Sequence, residues 1–563
     1  MITTTLRRCF VFVSFVAVLG IAAPATSGDE AASDQEESSQ EDARALLSEA
    51  SEIAHTVSRI RGLALKDEID KGVRDREELR EVLLDRLDEE VGDRDIENEA
   101  RVFKQLDLLP ADLDYKETLL DVLTEQIAGF YDQAVKELYI MKGIPLELQR
   151  PAMAHEIFHA IQDQHFDLQR LVEPIKSKEN GDFALARSSM VEGDATILML
   201  DFSLYETGQL PAGGIESVID MPGGPQLLRG MADQGLGALT KMSPPPEEAG
   251  AESDETMVDP AQLDQSSLSK APRVIRKLLV FPYFAGLKFI VDARKDAEWE
   301  RVDQIYERAP TSTEQILHPE RYFADDDPVH LDFVDQPIDE IGEPVYDSVL
   351  GEYQMRLVFE QQLLGEDGDR QEAQQEIDRA LTGWGGDRVR AWDLEDGDLL
   401  LSHLSTWDTL TDAEEYFEAL VELVRRRYPG SEIAFDEGEH GASACLVVEG
   451  DDGDAERVYV ERWGDLVLHI EGAPSELDEE GRERNPTTHR LRERIMESVE
   501  RTDFERVLEE RLAEFDRQRE DANEPDNDDD GEGESSSDEN SQEDPDGTDD
   551  TDDSDDGDSD DES

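Results

Sequence analysis

His155-Glu156-Ile157-Phe158-His159 is the stretch of this sequence that says most about its fold and chemistry. Histidines four residues apart lie one turn apart on the same face of a helix, so both imidazoles can bind one metal ion. The glutamate between them can then reach a water molecule at that ion. Alanines and apolar residues around the motif favour a buried helix. The motif therefore predicts a zinc site, and the alternative is a pair of histidines that only pack between helices.

A catalytic zinc ion usually has three protein ligands and a water molecule, so one more ligand must come from elsewhere in the chain. Glu192 is the predicted third ligand, because it lies in a second helical pattern downstream. Gly193 and Ala195 beside it are small, as expected where two helices approach closely enough to share a metal ion. Asp163 and Asp167 continue the motif helix and would point along its axis. The remaining downstream candidates are His165 and Glu173.

The first 25 residues have the features of an export signal. Arg7 and Arg8 precede an apolar run that is shorter than the ~20 residues needed to span a bilayer. Ala23-Pro24-Ala25 then forms an A-x-A cleavage site, which favours a cleaved signal peptide over a membrane anchor. Cleavage leaves Cys445 as the single cysteine, so no disulfide bond can form within the chain. We expect an exported protein, secreted or retained in the periplasm or cell envelope.

The chain is strongly acidic: 139 Asp and Glu against 54 Lys and Arg give a net charge of −85. Residues 521–563 contain 23 Asp and Glu and no Lys or Arg, which predicts a disordered acidic tail. Without the tail, 116 acidic residues still face 54 basic ones. Such a surface repels nucleic acid and anionic lipid. Because salt screens repulsion between carboxylates, the composition favours adaptation to high salt; the alternative is an acidic protein that is merely soluble.

Motifs along residues 95–500 resemble a family of uncharacterised, predicted secreted bacterial metallopeptidases of the gluzincin type. The motifs are Gly129-Phe130-Tyr131-Asp132, the segment His155–His165, Glu192-Gly193-Asp194-Ala195, Phe281-Pro282-Tyr283, and Ser312-Thr313-Glu314-Gln315-Ile316-Leu317-His318-Pro319-Glu320. The resemblance implies a zincin-like fold and a peptidase activity. One position departs from the thermolysin-like pattern, since Thr196 stands where an aspartate orients the first histidine. Asp163 or Asp194 is then expected to accept a hydrogen bond from a ligand imidazole.

The predicted fold class is α+β. A mainly helical, zincin-like domain with a small β-hairpin precedes an α+β accessory domain. Phe130-Tyr131 and Leu138–Met141 form the predicted hairpin, either a wall of the substrate cleft or a purely structural feature. The predicted segments are a signal peptide at 1–25, an acidic linker at 26–42, the peptidase domain at 43–325 with a disordered insertion at 241–272, the accessory domain at 345–505, and the tail at 521–563.

The predicted chemistry is hydrolysis of peptide bonds in a peptide or protein substrate. Glu156 is the expected general base, which takes a proton from water and later passes it to the leaving amine. A donor for the developing oxyanion must come from a separate segment. His318 and Tyr322 are the first candidates, because they lie in a proline-framed loop after the domain's last helix, and His165 is the next.

Two functions from different classes compete. The first is a secreted zinc endopeptidase with an accessory C-terminal domain. The second is a non-proteolytic exported protein that uses the zincin scaffold and the acidic C-terminal half for binding. The intact Glu156 favours the enzyme, because a scaffold that only binds has no need of a general base.

Overall fold

In the computed structural model of this protein, the H-E-x-x-H motif lies on a long helix that packs against a β-hairpin. Residues 1–516 form one compact unit and residues 517–563 form a second. The motif and its surroundings belong to the first unit. The structure describes residues 12–15, 34–90, 92–175, 179–210, 217–241, 266–295, 297–333, 344–364, 370–394, 397–438, 441–449, 455–474, 476–477, 483–484 and 486–523.

The elements are numbered here in chain order. The helices are α1 (Asp34–Arg61), α2 (Arg76–Glu90), α3 (Asp93–Gln105), α4 (Tyr115–Gln126), α5 (Leu146–Phe166), α6 (Leu168–Val172), α7 (Gly181–Glu206), α8 (Gly224–Lys241), α9 (Ser267–Lys270), α10 (Arg273–Ala293), α11 (Trp299–Glu307), α12 (Thr313–Leu317), α13 (Pro319–Phe323), α14 (Gly351–Leu363), α15 (Arg370–Leu381), α16 (Leu410–Arg427), α17 (Pro486–Ser498) and α18 (Phe504–Asn523). The strands are β1 (Phe12–Phe15), β2 (Asp70–Arg74), β3 (Ile127–Asp132), β4 (Glu137–Met141), β5 (Val329–Asp332), β6 (Tyr346–Ser348), β7 (Trp384–Asp393), β8 (Leu399–Trp407), β9 (Ile433–Gly438), β10 (Gly441–Glu449), β11 (Ala455–Trp463), β12 (Leu466–Pro474), β13 (Glu476–Leu477), β14 (Glu483–Arg484) and β15 (Glu500–Asp503).

Two long helices, α7 and α10, are buried along most of their length and lie at the centre of the helical half. Asn180 caps the start of α7 with its side chain, which satisfies a backbone N–H that the helix leaves free. The helices cross at Gly193 and Gly286, where a Cβ atom on either residue would overlap the backbone of the other helix. This backbone contact sets the separation of Glu192 and Tyr283, which both lie within one turn of it.

A four-stranded sheet in the order β1-β3-β4-β2 lies beside the motif helix α5. β3 and β4 pair in antiparallel fashion, which confirms the hairpin predicted ahead of the motif. β2 runs parallel to β4, and β1 adds to the other side of β3 as an antiparallel strand. The side chains of β3 are buried. The sheet therefore forms one wall of the region around the motif.

The C-terminal half is built on a seven-stranded sheet in the order β6-β7-β8-β12-β11-β10-β9. Every neighbouring pair of these strands is antiparallel. α16 packs on this sheet with an apolar face that includes Tyr416, Leu420 and Val424. Helices together with largely antiparallel sheets confirm the predicted α+β class.

The helices extend beyond the predicted segment boundaries at three places. α18 runs to Asn523, so the predicted disordered tail at 521–563 begins too early. α1 begins at Asp34, inside the predicted linker at 26–42. Its Glu and Gln residues are good helix formers, although their polarity hides the helical period. The predicted insertion at 241–272 also ends too late, because α9 follows Ser266 and its Leu268 is buried.

Some predicted segments lie outside the described residues. They are the signal peptide at 1–25 apart from β1, positions 242–265 of the insertion, and the acidic tail from position 524 onward. Among the helices that the structure describes, none is long and apolar enough to cross a membrane.

We expect Gly286→Ala to destabilise the protein by at least about 3 kcal/mol, because the new methyl group meets backbone that cannot move aside as a side chain does. The matched control is Gly230→Ala in α8, where an added Cβ has no neighbour within 4 Å. That control should be neutral or stabilising by roughly 0.5–1 kcal/mol. Urea unfolding measures both changes. Equal stabilities of the two variants would contradict the close contact between α7 and α10.

Candidate metal centre

Two helices bring His155, His159 and Glu192 together, and all three side chains are buried. The Nε2 atoms of the histidines are 3.0 Å apart. Glu192 Oε2 lies 2.9 Å from Nε2 of His155 and 3.5 Å from Nε2 of His159. Ligand atoms around a tetrahedral zinc ion at ordinary bond lengths lie ~3.3 Å from one another. The three side chains can therefore hold one metal ion, and no other trio of His, Cys, Asp or Glu in the described residues has this geometry.

The protonation states of His159 and Glu192 suit a metal ion. Burial lowers the pKa of His159, which favours the neutral imidazole. Burial alone would raise the pKa of Glu192, but the two histidines outweigh it and lower that pKa. A neutral imidazole and an ionised carboxylate are the forms that bind metal.

Gln162 orients the imidazole of His159 through a hydrogen bond at Nδ1. The Nδ1 atom of His159 lies 2.7 Å from Oε1 of Gln162. An amide oxygen can only accept, so Nδ1 donates and Nε2 keeps its lone pair for a metal ion. The Gln162 amide N–H groups donate to the Val191 carbonyl at 3.2 Å and the Tyr306 hydroxyl at 2.6 Å. Gln162 was not among the residues predicted from the sequence, although its position three residues after His159 places it on the same helix face.

Asp194 belongs to a buried ion pair that lies behind Gln162. It accepts hydrogen bonds from the Arg61 guanidinium at 3.0 and 3.2 Å and from the Tyr306 hydroxyl at 3.0 Å. Burial disfavours the charge on Arg61, but Asp194 and Asp303 outweigh burial and raise the pKa of Arg61. The carboxylate predicted to support a ligand histidine thus lies near His159, with Gln162 between them. It also ties α1, which ends at Arg61, to the metal-binding helices.

Asp163, the other predicted support, has different partners. Its carboxylate accepts hydrogen bonds from the Tyr131 hydroxyl at 2.8 Å, the Lys136 ammonium at 3.1 Å and the Leu168 N–H at 3.1 Å. These contacts join α5 to the β3–β4 hairpin. Nδ1 of His155 has no hydrogen-bond partner within the described part of the chain.

Glu156 is buried and faces the β3 strand. Its Oε2 atom accepts a hydrogen bond of 2.8 Å from the backbone N–H of Tyr131. This contact fixes the carboxylate against the sheet, one residue along α5 from His155.

Tyr283 of α10 completes the site. Its ring stacks on the imidazole of His155, with ring centroids 6.0 Å apart, and its hydroxyl lies close to Glu192. Burial and the charges of Glu192 and Glu156 raise the pKa of Tyr283 well above its usual value, so the hydroxyl keeps its proton. Tyr283 lies in the motif Phe281-Pro282-Tyr283, but the sequence alone predicted no role for it.

The predicted oxyanion donors have partners elsewhere. His318 pairs with Glu352 at 3.1 Å, and the Tyr322 hydroxyl donates to the Arg308 carbonyl at 2.7 Å. His165, the next candidate, bonds the Ala64 carbonyl at 2.7 Å. Two residues also considered as third ligands have structural contacts: Asp167 caps α6, and Glu173 accepts a hydrogen bond from Gln169. The contacts among the described residues therefore favour Glu192 as the third ligand and bring Tyr283 to the triad.

The small residues beside Glu192 face two different helices. Gly193 meets Gly286 of α10, whereas the prediction placed it against the motif helix. Ala195 does lie in the core cluster that includes Ile157 and Phe158 of α5. The close approach that positions Glu192 thus involves α10 as well as α5.

We expect one divalent metal ion per chain, lost on His159→Ala or Glu192→Ala because each removes a ligand. His165→Ala is the matched control and should bind fully. Gln162→Ala should weaken metal affinity by ~10–100-fold, because His159 loses its orienting partner. Competition of the protein with a chromophoric chelator for zinc or cobalt(II) measures all four. Full binding by Glu192→Ala would return Asp163, His165 and Glu173 to consideration.

Comparison with known proteins gives one match. Residues 339–481 match the sequence model of a family described as Domain of unknown function (DUF8575). That segment contains the strands from β6 to β13 and none of the three candidate metal ligands. No curated protein and no solved structure matches the chain.

Proposed function

We propose that this protein is a zinc-dependent peptidase with a zincin-like helical domain, related to the gluzincins. The observation that carries the proposal is the convergence of His155, His159 and Glu192, with Glu156 on the same helix as the two histidines. Two imidazoles and one carboxylate are a common ligand set for zinc in hydrolases, in which a fourth position stays open. A carboxylate next to that open position supplies the base that hydrolysis needs.

The metal and Glu156 divide the chemistry between them. Bound zinc lowers the pKa of a water molecule toward ~7 and polarises the carbonyl of the scissile bond. Glu156 accepts the proton of the attacking water and then passes it to the nitrogen of the leaving amine. Its hydrogen bond from the Tyr131 N–H keeps the carboxylate pointed at the β3 side of the site.

Tyr283 is our proposed donor to the oxyanion, in place of His318 and Tyr322. Its hydroxyl reaches Glu192, and its raised pKa keeps the proton that a donor must have. A donor fixed by ring stacking on His155 needs little reorganisation as negative charge develops.

The edge of β3 is the proposed substrate-binding strand. β1 adds to β3 in antiparallel fashion, with Phe12 opposite Tyr131 and Phe15 opposite Ile127. β1 lies within the predicted signal peptide, so cleavage would free this edge. Extended peptides add to free strand edges through backbone hydrogen bonds. We therefore expect a substrate to lie along β3 with its scissile bond beside Glu156.

Export and adaptation to high salt are part of the proposal. The signal-peptide features of positions 1–25 and the net charge of −85 support them. A peptidase with this surface would act on proteins outside the cytoplasm. The C-terminal half would then serve as an accessory domain.

One observation favours the alternative, a non-proteolytic exported protein. The three metal-binding side chains and Glu156 are each at most 1% exposed, as in a metal site that only stabilises a fold. The two functions make opposite predictions for Glu156, because a structural metal site does not use a base.

Glu156→Gln should abolish hydrolysis of a casein-type substrate while metal content and thermal stability stay unchanged. The amide is nearly isosteric with the carboxylate but cannot accept the proton. Glu147→Gln, in the first turn of the same helix, is the matched control and should keep full activity. Turnover by Glu156→Gln at the wild-type rate would exclude the proposed mechanism, and absence of activity in the wild type would favour the binding protein.

Tyr283→Phe should lower kcat by about 10²–10³-fold with little change in KM or metal affinity, because it removes a donor used mainly in the transition state. Tyr322→Phe is the control, since that hydroxyl bonds the Arg308 carbonyl. Steady-state kinetics on a fluorogenic peptide measures both variants. A loss of kcat in Tyr322→Phe alone would assign the role to the loop predicted from the sequence.

A further inference from the structure

Arg187 is a buried cation that forms no ion pair within the described part of the chain, although the charge of Asp327 acts on it favourably. It lies on α7, is 5% exposed, and donates one hydrogen bond of 2.6 Å to the Leu171 carbonyl. Its guanidinium lies 4.3 Å from the ring centroid of Phe183. Its Nε atom has no hydrogen-bond partner, and no carboxylate of the described residues forms an ion pair with it. Buried charges in folded proteins are normally paired.

Two other buried arginines in this chain show the usual arrangement. Arg61 pairs with Asp194 at 3.0 Å, and Arg427 pairs with Glu471 at 2.7 Å. Arg187 differs from both, because it lines a cavity and forms no ion pair with a carboxylate of the described residues.

The cavity has a volume of about 210 Å³, which corresponds to roughly seven water molecules in the liquid. Arg187 lines it together with the rings of Phe166, Tyr306 and Tyr322, and Leu512 of α18 lies on another side. Phe166 and Tyr306 stack with centroids 3.9 Å apart. The lining therefore places aromatic side chains beside Arg187, which forms no ion pair with the described residues.

The other cations of the cavity already have partners. Arg170 pairs with Asp516 at 2.9 Å, and Arg308 pairs with Asp325 at 2.5 Å and with Asp327 at 3.3 Å. The remaining carboxylates at the rim, those of Glu307, Glu505 and Glu509, are exposed to solvent. Solvent and salt screen such exposed charges, whereas a buried guanidinium is screened much less.

The charge balance selects the class of ligand. A buried guanidinium without an ion pair suits a monoanion, and a carboxylate matches its planar fork. The aromatic lining suits an apolar group attached to that carboxylate. Burial, followed by the charge of Arg170, lowers the pKa of Arg187 to about 9, and a bound anion would oppose that shift.

We propose that this cavity binds a small organic carboxylate, with its anionic group on Arg187 and its apolar part against Phe166, Tyr306 and Tyr322. The site is separate from the metal centre, since its lining includes none of the three metal-binding residues. Tyr306 connects the two regions: its ring lines the cavity, and its hydroxyl donates to Asp194 behind His159.

The test uses benzoate as the probe and benzamide as its uncharged counterpart of nearly the same shape. Isothermal titration of the whole chain, at an ionic strength held constant with NaCl, should show one benzoate per chain. Benzamide should bind at least about tenfold more weakly, because it cannot form the charge-assisted hydrogen bonds. No binding of benzoate at millimolar concentration, or equal affinity for both compounds, would overturn the proposal.

Variants locate the binding site. Arg187→Gln should lower benzoate affinity by about tenfold or more, whereas Arg170→Gln, at the same cavity but paired with Asp516, should keep most of it. Leu512→Trp leaves Arg187 intact and should block the cavity, so it tests the site even if Arg187→Gln fails to fold. His159→Ala should bind benzoate normally. Benzoate binding that survives Leu512→Trp but is lost in His159→Ala would assign the probe to the metal centre and refute the proposal.

Discussion

The burial of two imidazoles and one carboxylate at a single point is the constraint around which the helical half is arranged. His155, His159 and Glu192 give up contact with water, and a cation held between them would satisfy a lone pair on each. α5 supplies two of the ligands and α7 the third. The surrounding polar contacts run outward from this point, through Gln162 to the Asp194–Arg61 ion pair. Each contact fixes the next, so the geometry at the metal depends on helices that carry no ligand.

The sequence was sufficient to predict the parts of the site that depend on local geometry. His155 and His159 are neighbours because a helix repeats every 3.6 residues, and Glu156 lies between them for the same reason. Glu192 could be predicted because it lies in a strong helical pattern flanked by small residues. The β3–β4 hairpin was also evident from two apolar runs around a polar turn. The α+β class followed from the mixture of helical and strand patterns.

Other parts could not be predicted because they depend on tertiary contacts. Tyr283 reaches Glu192 only because α10 crosses α7 at a pair of glycines, and no periodicity in one helix reveals which helix it will meet. His318 and Tyr322 were chosen as donors for their place in a loop, yet their partners are Glu352 and the Arg308 carbonyl. The start of α1 at Asp34 was hidden by charged residues, which form helices well but carry no apolar period.

The contact between Gly193 and Gly286 has a consequence for how this protein can evolve. Cores usually drift by paired changes, in which a larger side chain at one position is accommodated by a smaller one opposite. Here both partners are already the smallest residue, so neither can shrink to accommodate growth in the other. Every codon change that replaces either glycine adds atoms where backbone already lies. The two helices are therefore expected to keep this crossing across lineages, while the surfaces around them, including the acidic ones, remain free to diverge.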